Sequence, residues 1–214
     1  MMKWLKRLTL IGTVVFATYL YQLNGLVNDK FSKPLSVKDS SLSYEAHPKA
    51  LVNMLLVVED QLFFQHYGVD FVEVVRVVRD YYLHDKPIRG ASTITQQLIK
   101  NTLLTREKTV SRKVKEALMA LLLEISFDKK MILNRYMNSV YLGQYGNYEV
   151  RGFQQAARFY FDKNLSELSL EGLATLVALL KGPSYYHPAK HPERLVKRRN
   201  LVLHLYHKYQ KVIK

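Results

Sequence analysis

Arg89-Gly90-Ala91-Ser92-Thr93-Ile94-Thr95-Gln96-Gln97-Leu98-Ile99-Lys100-Asn101 reads as a loop running into a helix. Pro87 and Gly90 break whatever precedes it. Ser92 can cap the helix, which then carries Gln96, Gln97 and Lys100. The side chains of Ser92, Thr93, Gln96, Gln97 and Asn101 can bind sugar hydroxyls, amides and phosphate oxygens. Lys100 adds a point charge for a phosphate. Taken alone, such a helix could be no more than a polar surface face, but a carboxylate flanks it on each side. Upstream, Glu59-Asp60 ends the apolar run Leu55-Leu56-Val57-Val58, and Phe63, His66 and Gly68 follow at short spacings. Downstream, Glu116 closes Arg112-Lys113-Val114-Lys115-Glu116. One carboxylate can move a proton while cations hold an anionic leaving group, so the pattern points to glycosyl chemistry near a phosphate. Partial desolvation at the edge of a core would make Glu59 the better proton acceptor. Glu116 has a plainer alternative, a surface ion pair with Arg112 one helical turn away.

The chain has 214 residues, a net charge of +14 and no cysteine. That length suits one domain with a sizeable core plus an anchor. Disulfides and thiolate metal sites are excluded. The excess of cations favours anionic partners, whether nucleic acid, acidic headgroups or pyrophosphates, without choosing among them.

Residues 8–27 carry no charge and follow Lys3, Lys6 and Arg7. Twenty helical residues span about 30 Å, the thickness of a hydrocarbon core. No small-residue cleavage pattern ends the run, which argues for a retained transmembrane anchor over a removed signal. Cations ahead of it argue for an N-terminus inside and the rest of the chain outside. The expected organisation is a cytoplasmic tip and anchor at 1–27, a linker at 28–48 with Pro34 and Pro48, and a catalytic domain at 49–214.

From Lys49 onward the pattern is mainly helical. Apolar residues recur at helical spacing up to Glu59. Residues 71–83 are apolar with many valines, and the same stretch also permits a strand. Residues 110–127 show one continuous apolar face. Further helices are expected at 129–142, closing near Gly143, at 152–161, at 169–180 with Ser169 as cap, and at 193–208. Residues 143–147 read as a turn. The fold class is mainly α.

The order and wording of these blocks resemble glycosyltransferase family 51, the polymerases of peptidoglycan glycan strands. The chain looks like the monofunctional, membrane-anchored members. The likeness runs from about Tyr44 to about Leu203 and takes in Lys130, Tyr136, Asn138, Gly152, Pro183 and Arg198-Arg199. It implies a lysozyme-like, two-lobed, mainly α fold with a cleft. It also implies a substrate, lipid II, and a partner, the growing lipid-linked glycan strand. Glu59 and Glu116 would be catalytic. Asp60, Phe63, His66, Gly68, Ser92, Thr93, Gln96, Gln97, Lys100, Asn101, Lys108, Arg112 and Lys113 would bind substrate. Tyr136 and Asn138 would brace the cleft. Ala91 stands where relatives usually carry glycine, and Lys108 where they usually carry arginine, which keeps the charge but loses the bidentate fork. The likeness allows for a divalent cation, magnesium or manganese, at Glu116, and for no organic cofactor. It implies residence in the bacterial cytoplasmic membrane, single-pass, beside other cell-wall synthesis or division proteins, and no nucleic acid. Strand cross-linking is not expected of it.

Two other functions fit parts of the pattern. A lysozyme-like glycan-cleaving enzyme would need a protonated acid and a path for water, with no call on cations at the second glutamate. A non-catalytic membrane-tethered basic protein would need no pair of acids. His66, His84, His187 and His191 form no His-x-x-x-His pair, which disfavours a zinc site.

Overall fold

The computed structural model describes residues 2–34, 41–85, 90–105, 107 and 109–209. Lys108 lies outside them. Nine α-helices and one hairpin are described. The long helix α1, Met2–Phe31, contains the whole apolar segment and continues past it. Its span Lys3–Phe31, with a mean hydropathy of 1.4, is long and apolar enough to cross a membrane. The threonines that dilute its hydrophobicity are satisfied within the helix. The hydroxyls of Thr9, Thr13 and Thr18 donate to the carbonyls of Leu5, Thr9 and Val14 at 2.6, 2.9 and 2.9 Å. Self-satisfied hydroxyls cost little in an apolar medium.

The last turns of α1 leave this exposed regime. Leu23, Val27 and Phe31 form an i, i+4, i+8 stripe buried in the protein core. They pack on α5, Val110–Ser126. Phe31 meets Phe127 with ring centroids 6.4 Å apart. The guanidinium of Arg135, on α6 (Lys129–Ser139), donates to the Phe31 carbonyl at 2.8 Å. A cation on the last carbonyls of a helix completes its C-terminus. Helix α1 is thereby joined to the helix that carries Glu116. Phe31→Ala is expected to lower unfolding free energy by about 3 kcal/mol, the scale of a buried aromatic deletion. Thermal melting of the detergent-solubilised chain measures this, and an unshifted midpoint would show the contact to be superficial.

The centre is α2, Lys49–Glu59, whose residues Leu51, Met54, Leu55 and Leu56 are almost fully buried. It packs on α8, Leu170–Leu179, and α9, Pro192–Tyr209. Helix α4, Ile94–Leu103, packs on α5 and α6, and α7 is Phe153–Phe161. Asn138 pins the segment before α2 by exchanging two 2.9 Å bonds with the backbone of Leu42.

The valine-rich stretch, which the sequence left open between helix and strand, is helix α3, Phe71–His84. Asp70 caps it by accepting from the Glu73 N–H at 2.8 Å, and that local signal outweighs the β preference of valine. Two expectations need correction. The cap of α4 is Thr93, one residue beyond Ser92. Thr93 and Gln96 exchange side chain-to-backbone bonds in a capping box. Finally, α6 stops at Ser139, and the chain turns into an antiparallel hairpin, β1 Tyr141–Tyr145 and β2 Tyr148–Arg151. Gly146 at the turn has a φ of 55°. At Gly143 a side chain would collide with the Tyr160 hydroxyl, which donates to the Leu142 carbonyl at 2.9 Å.

Candidate active site

The end of α2 and the start of α4 meet at a cleft of 420 Å³. Its walls include Glu59 and Asp60, then Asp70, Glu73 and Arg76 around the first turns of α3, and Gly90 to Thr93. Glu59 is half-buried there. Gln97 Nε2 donates to Glu59 Oε2 at 2.9 Å, and the Tyr136 hydroxyl donates to Gln97 Oε1 at 2.9 Å. The order of this relay is enforced chemically. Burial, reinforced by the nearby charges of Glu59 and Asp60, holds the Tyr136 phenol well above its ordinary pKa. It therefore keeps a proton to donate to the amide oxygen, while the Glu59 carboxylate accepts from the amide nitrogen, and the two bonds together fix the orientation of the Gln97 amide. Among the described residues, Glu59 Oε1 makes no hydrogen bond.

Asp60 does different work. It accepts from His66 Nε2 at 3.0 and 3.1 Å and from the Ile94 N–H at 2.9 Å. It thus ties the turn after α2 to the first turn of α4, where a carboxylate also suits the helix dipole. Phe63, His66 and Gln96, expected from the sequence to bind substrate, have side chains with little or no exposed surface. Gly68 has a backbone reason to be glycine. At φ 75°, its missing Cβ lets the chain pass the Ala120 carbonyl, where an added Cβ would stand 2.5 Å away. Its own carbonyl accepts from Thr93 Oγ1 at 2.6 Å. Lys100 and Asn101 are exposed one turn beyond Gln97 and Gln96.

The second carboxylate is not a surface partner. Glu116 is 1 % exposed, and both its oxygens are taken. Arg112 Nη1 donates to Oε2 at 2.7 Å, while the Lys113 ammonium holds Oε1. Lys113 also donates to Ser92 Oγ at 2.8 Å, which joins this cluster to the rim of the cleft. Thr109 caps α5 directly before it. The arrangement is a buried acid holding two cations in fixed positions. Each Glu116 oxygen already accepts from one cationic side chain. Among the described residues, no three His, Asp or Glu side chains gather to hold a metal.

Residues 28–207 match the family model described as Transglycosylase. The chain belongs to the transglycosylase family. Its lysozyme-like, two-lobed, mainly α fold is the one the sequence led one to expect. Among similar proteins, penicillin-binding protein 1B of Haemophilus influenzae is 41% identical over 165 residues, 77% of this chain and 21% of that protein. Penicillin-binding protein 1A of Aquifex aeolicus is 47% identical over 162 residues, 76% and 22% of the two chains. Penicillin-binding protein 1B of Escherichia coli is 44% identical over 163 residues, 76% and 19%. The chain thus spans about a fifth of the length of these relatives. Within this transglycosylase domain, Glu59 meets Gln97, and Ser92, Lys113, Arg112 and Glu116 are joined by hydrogen bonds and ion pairs. Sequence reasoning missed Glu73 and Arg76, which reach the cleft wall from α3. Their one signal was an i, i+3 charge pair on an otherwise apolar helix.

Proposed function

We propose that this chain is a peptidoglycan glycosyltransferase that extends a lipid-linked glycan strand at the expense of lipid II. The observation that carries the reading is the pairing of one cleft carboxylate, Glu59, held by a neutral relay, with a buried acid that presents two cations at the same rim. The GlcNAc 4-hydroxyl of lipid II attacks the MurNAc anomeric carbon of the growing strand. Glu59 Oε1 takes the hydroxyl proton as the new C–O bond forms. The bond from the anomeric carbon to the pyrophosphate oxygen breaks, and undecaprenyl pyrophosphate leaves with the electron pair. The donor is α-linked and the product β-1,4-linked, so the centre inverts, in keeping with two carboxyl groups acting on opposite sides of a sugar. Arg112 and Lys113, with Lys100 beyond Gln97, meet the charge of the leaving group. Because Glu116 holds two of them in place beforehand, little reorganisation is needed as charge develops. Incubating the purified full chain with lipid II tests the reading. Glycan polymer and free undecaprenyl pyrophosphate are expected, and intact lipid II after prolonged incubation would overturn it.

The reading places the N-terminus inside the cytoplasmic membrane and the domain outside, on the strength of Lys3, Lys6 and Arg7 ahead of α1. External protease on spheroplasts should then digest the domain, and full protection would reverse the orientation. Helix α3 supports a second contact with the membrane. Phe71, Val72, Val75, Val78, Tyr82 and Leu83 are all more than half exposed, an apolar face larger than a water-facing helix carries. Seated in the outer leaflet, it would hold the cleft at the depth of the lipid-linked pyrophosphate. Val75→Lys with Val78→Lys is expected to reduce turnover on membrane-embedded lipid II by about tenfold and leave melting unchanged, since no core contact is lost. Unchanged turnover in liposomes would remove this contact.

A further inference from the structure

Behind the cleft floor lies a charged cluster that the transfer chemistry does not use. Lys129, the first residue of α6, places its ammonium 4.4 Å from the centroid of the Phe63 ring. The same nitrogen stands 2.7 Å from Glu124 Oε2, an ion pair out of hydrogen-bond alignment, and the Glu124 side chain is 2 % exposed. Glu124 Oε1 in turn accepts from Thr95 Oγ1 at 2.5 Å, and Thr95 is fully buried. Burial lowers the Lys129 pKa against the opposing pull of Glu124 and the charge of Asp60. A buried pair of this kind is a poor source of stability, since desolvation offsets most of the attraction. Its reach is more informative. Thr95 lies two residues before Gln97 on α4. Phe63 lies four residues after Glu59, in a turn closed by its own N–H on the Asp60 carbonyl at 3.2 Å.

We infer that Lys129 is a positioning residue for the transfer step: its ammonium holds the turn that follows Glu59, through Phe63, and the helix that carries Gln97, through Glu124 and Thr95, in one fixed relation. The inference rests on the assignment of Glu59 as base. Proton transfer tolerates little slack in that relation, and a displacement of about 1 Å can cost up to a hundredfold.

The test uses the full chain and lipid II. Lys129→Met keeps the aliphatic stem over Phe63 and removes the charge. Its kcat should fall at least about tenfold, while KM and the affinity for a phosphoglycolipid mimic of the donor stay near wild type, because Arg112, Lys113 and Glu116 are untouched. Lys129→Arg, which keeps a cation over the ring, should recover most of the loss. The charge-balanced double variant Lys129→Met with Glu124→Gln serves if the single variant folds poorly, and it should retain the kcat defect. Wild-type kcat in a folded Met variant, with only a lower melting point, would reduce Lys129 to packing and overturn the inference. Parallel losses of kcat and mimic affinity would also overturn it, as general damage. No polymer from the wild-type chain would instead remove the assignment of Glu59, and this inference with it.

Discussion

Glu59→Gln is expected to cut polymerisation by at least about a hundredfold, the usual scale for loss of a general base. The structure makes this a clean substitution. Gln97 Nε2 points at residue 59, and the Tyr136 hydroxyl occupies the amide's other end. A glutamine at 59 can turn its carbonyl toward that donor, so the relay and the fold survive. What disappears is the free oxygen that receives the proton. Turnover of lipid II and thermal melting of the same preparation decide the matter. A variant that melts normally and still polymerises at the wild-type rate would show that the base lies elsewhere. Tyr136→Phe extends the test. It removes the donor to Gln97 Oε1, loosening the amide that holds Glu59, and should lower turnover by a smaller factor than Glu59→Gln.

At the second site, removal of one cation is expected to act differently from removal of the acid. Arg112→Ala takes away a charge-assisted contact worth about 1.5–3 kcal/mol, so affinity for a phosphoglycolipid donor mimic should fall about ten- to a hundredfold. It also leaves the Glu116 carboxylate buried with one partner in place of two, so the variant should melt lower. Glu116→Gln keeps an acceptor for Arg112 but turns an amide N–H₂ toward Lys113. The cations then lose their fixed geometry. Turnover should drop by more than binding, because pre-arranged charge matters most when the leaving group develops its own. A surface ion pair would give neither effect, each substitution costing under about 1 kcal/mol with activity intact. Near-normal binding and turnover in both variants would mean that pyrophosphate is held somewhere else.

The fold class and most of the helices were legible because they follow from local chemistry. Period-3.6 burial in α2, α5 and α8, and the cap at Ser169, need only neighbours in sequence. At α3 the valines left helix and strand both open, and the Asp70 cap belongs to a helix. One misreading came where two local signals competed. The hairpin at 141–151 did announce itself, with tyrosines and valine around Gly146-Asn147, but the preceding helix pattern masked it.

The residues of the site were likewise visible as types in order: two acids, a glutamine-rich block and clustered cations. Sequence alone determined that this chain carries an anchor-length helix, a mainly α domain and that set of reactive groups. Only the tertiary structure decided which of them face the cleft. Spacing along the chain did not show that Asp60 Oδ2 accepts from the Ile94 N–H, or that Gln96 Oε1 accepts from the Thr93 N–H. For Glu116 the sequence left an exposed i, i+4 ion pair as the alternative to an active-site acid, and the structure buries it with a cation on each oxygen. The physical reason is that a polar side chain's role depends on its solvent and its partners. Both are set by helices brought together from distant parts of the chain, and spacing along one helix does not report them.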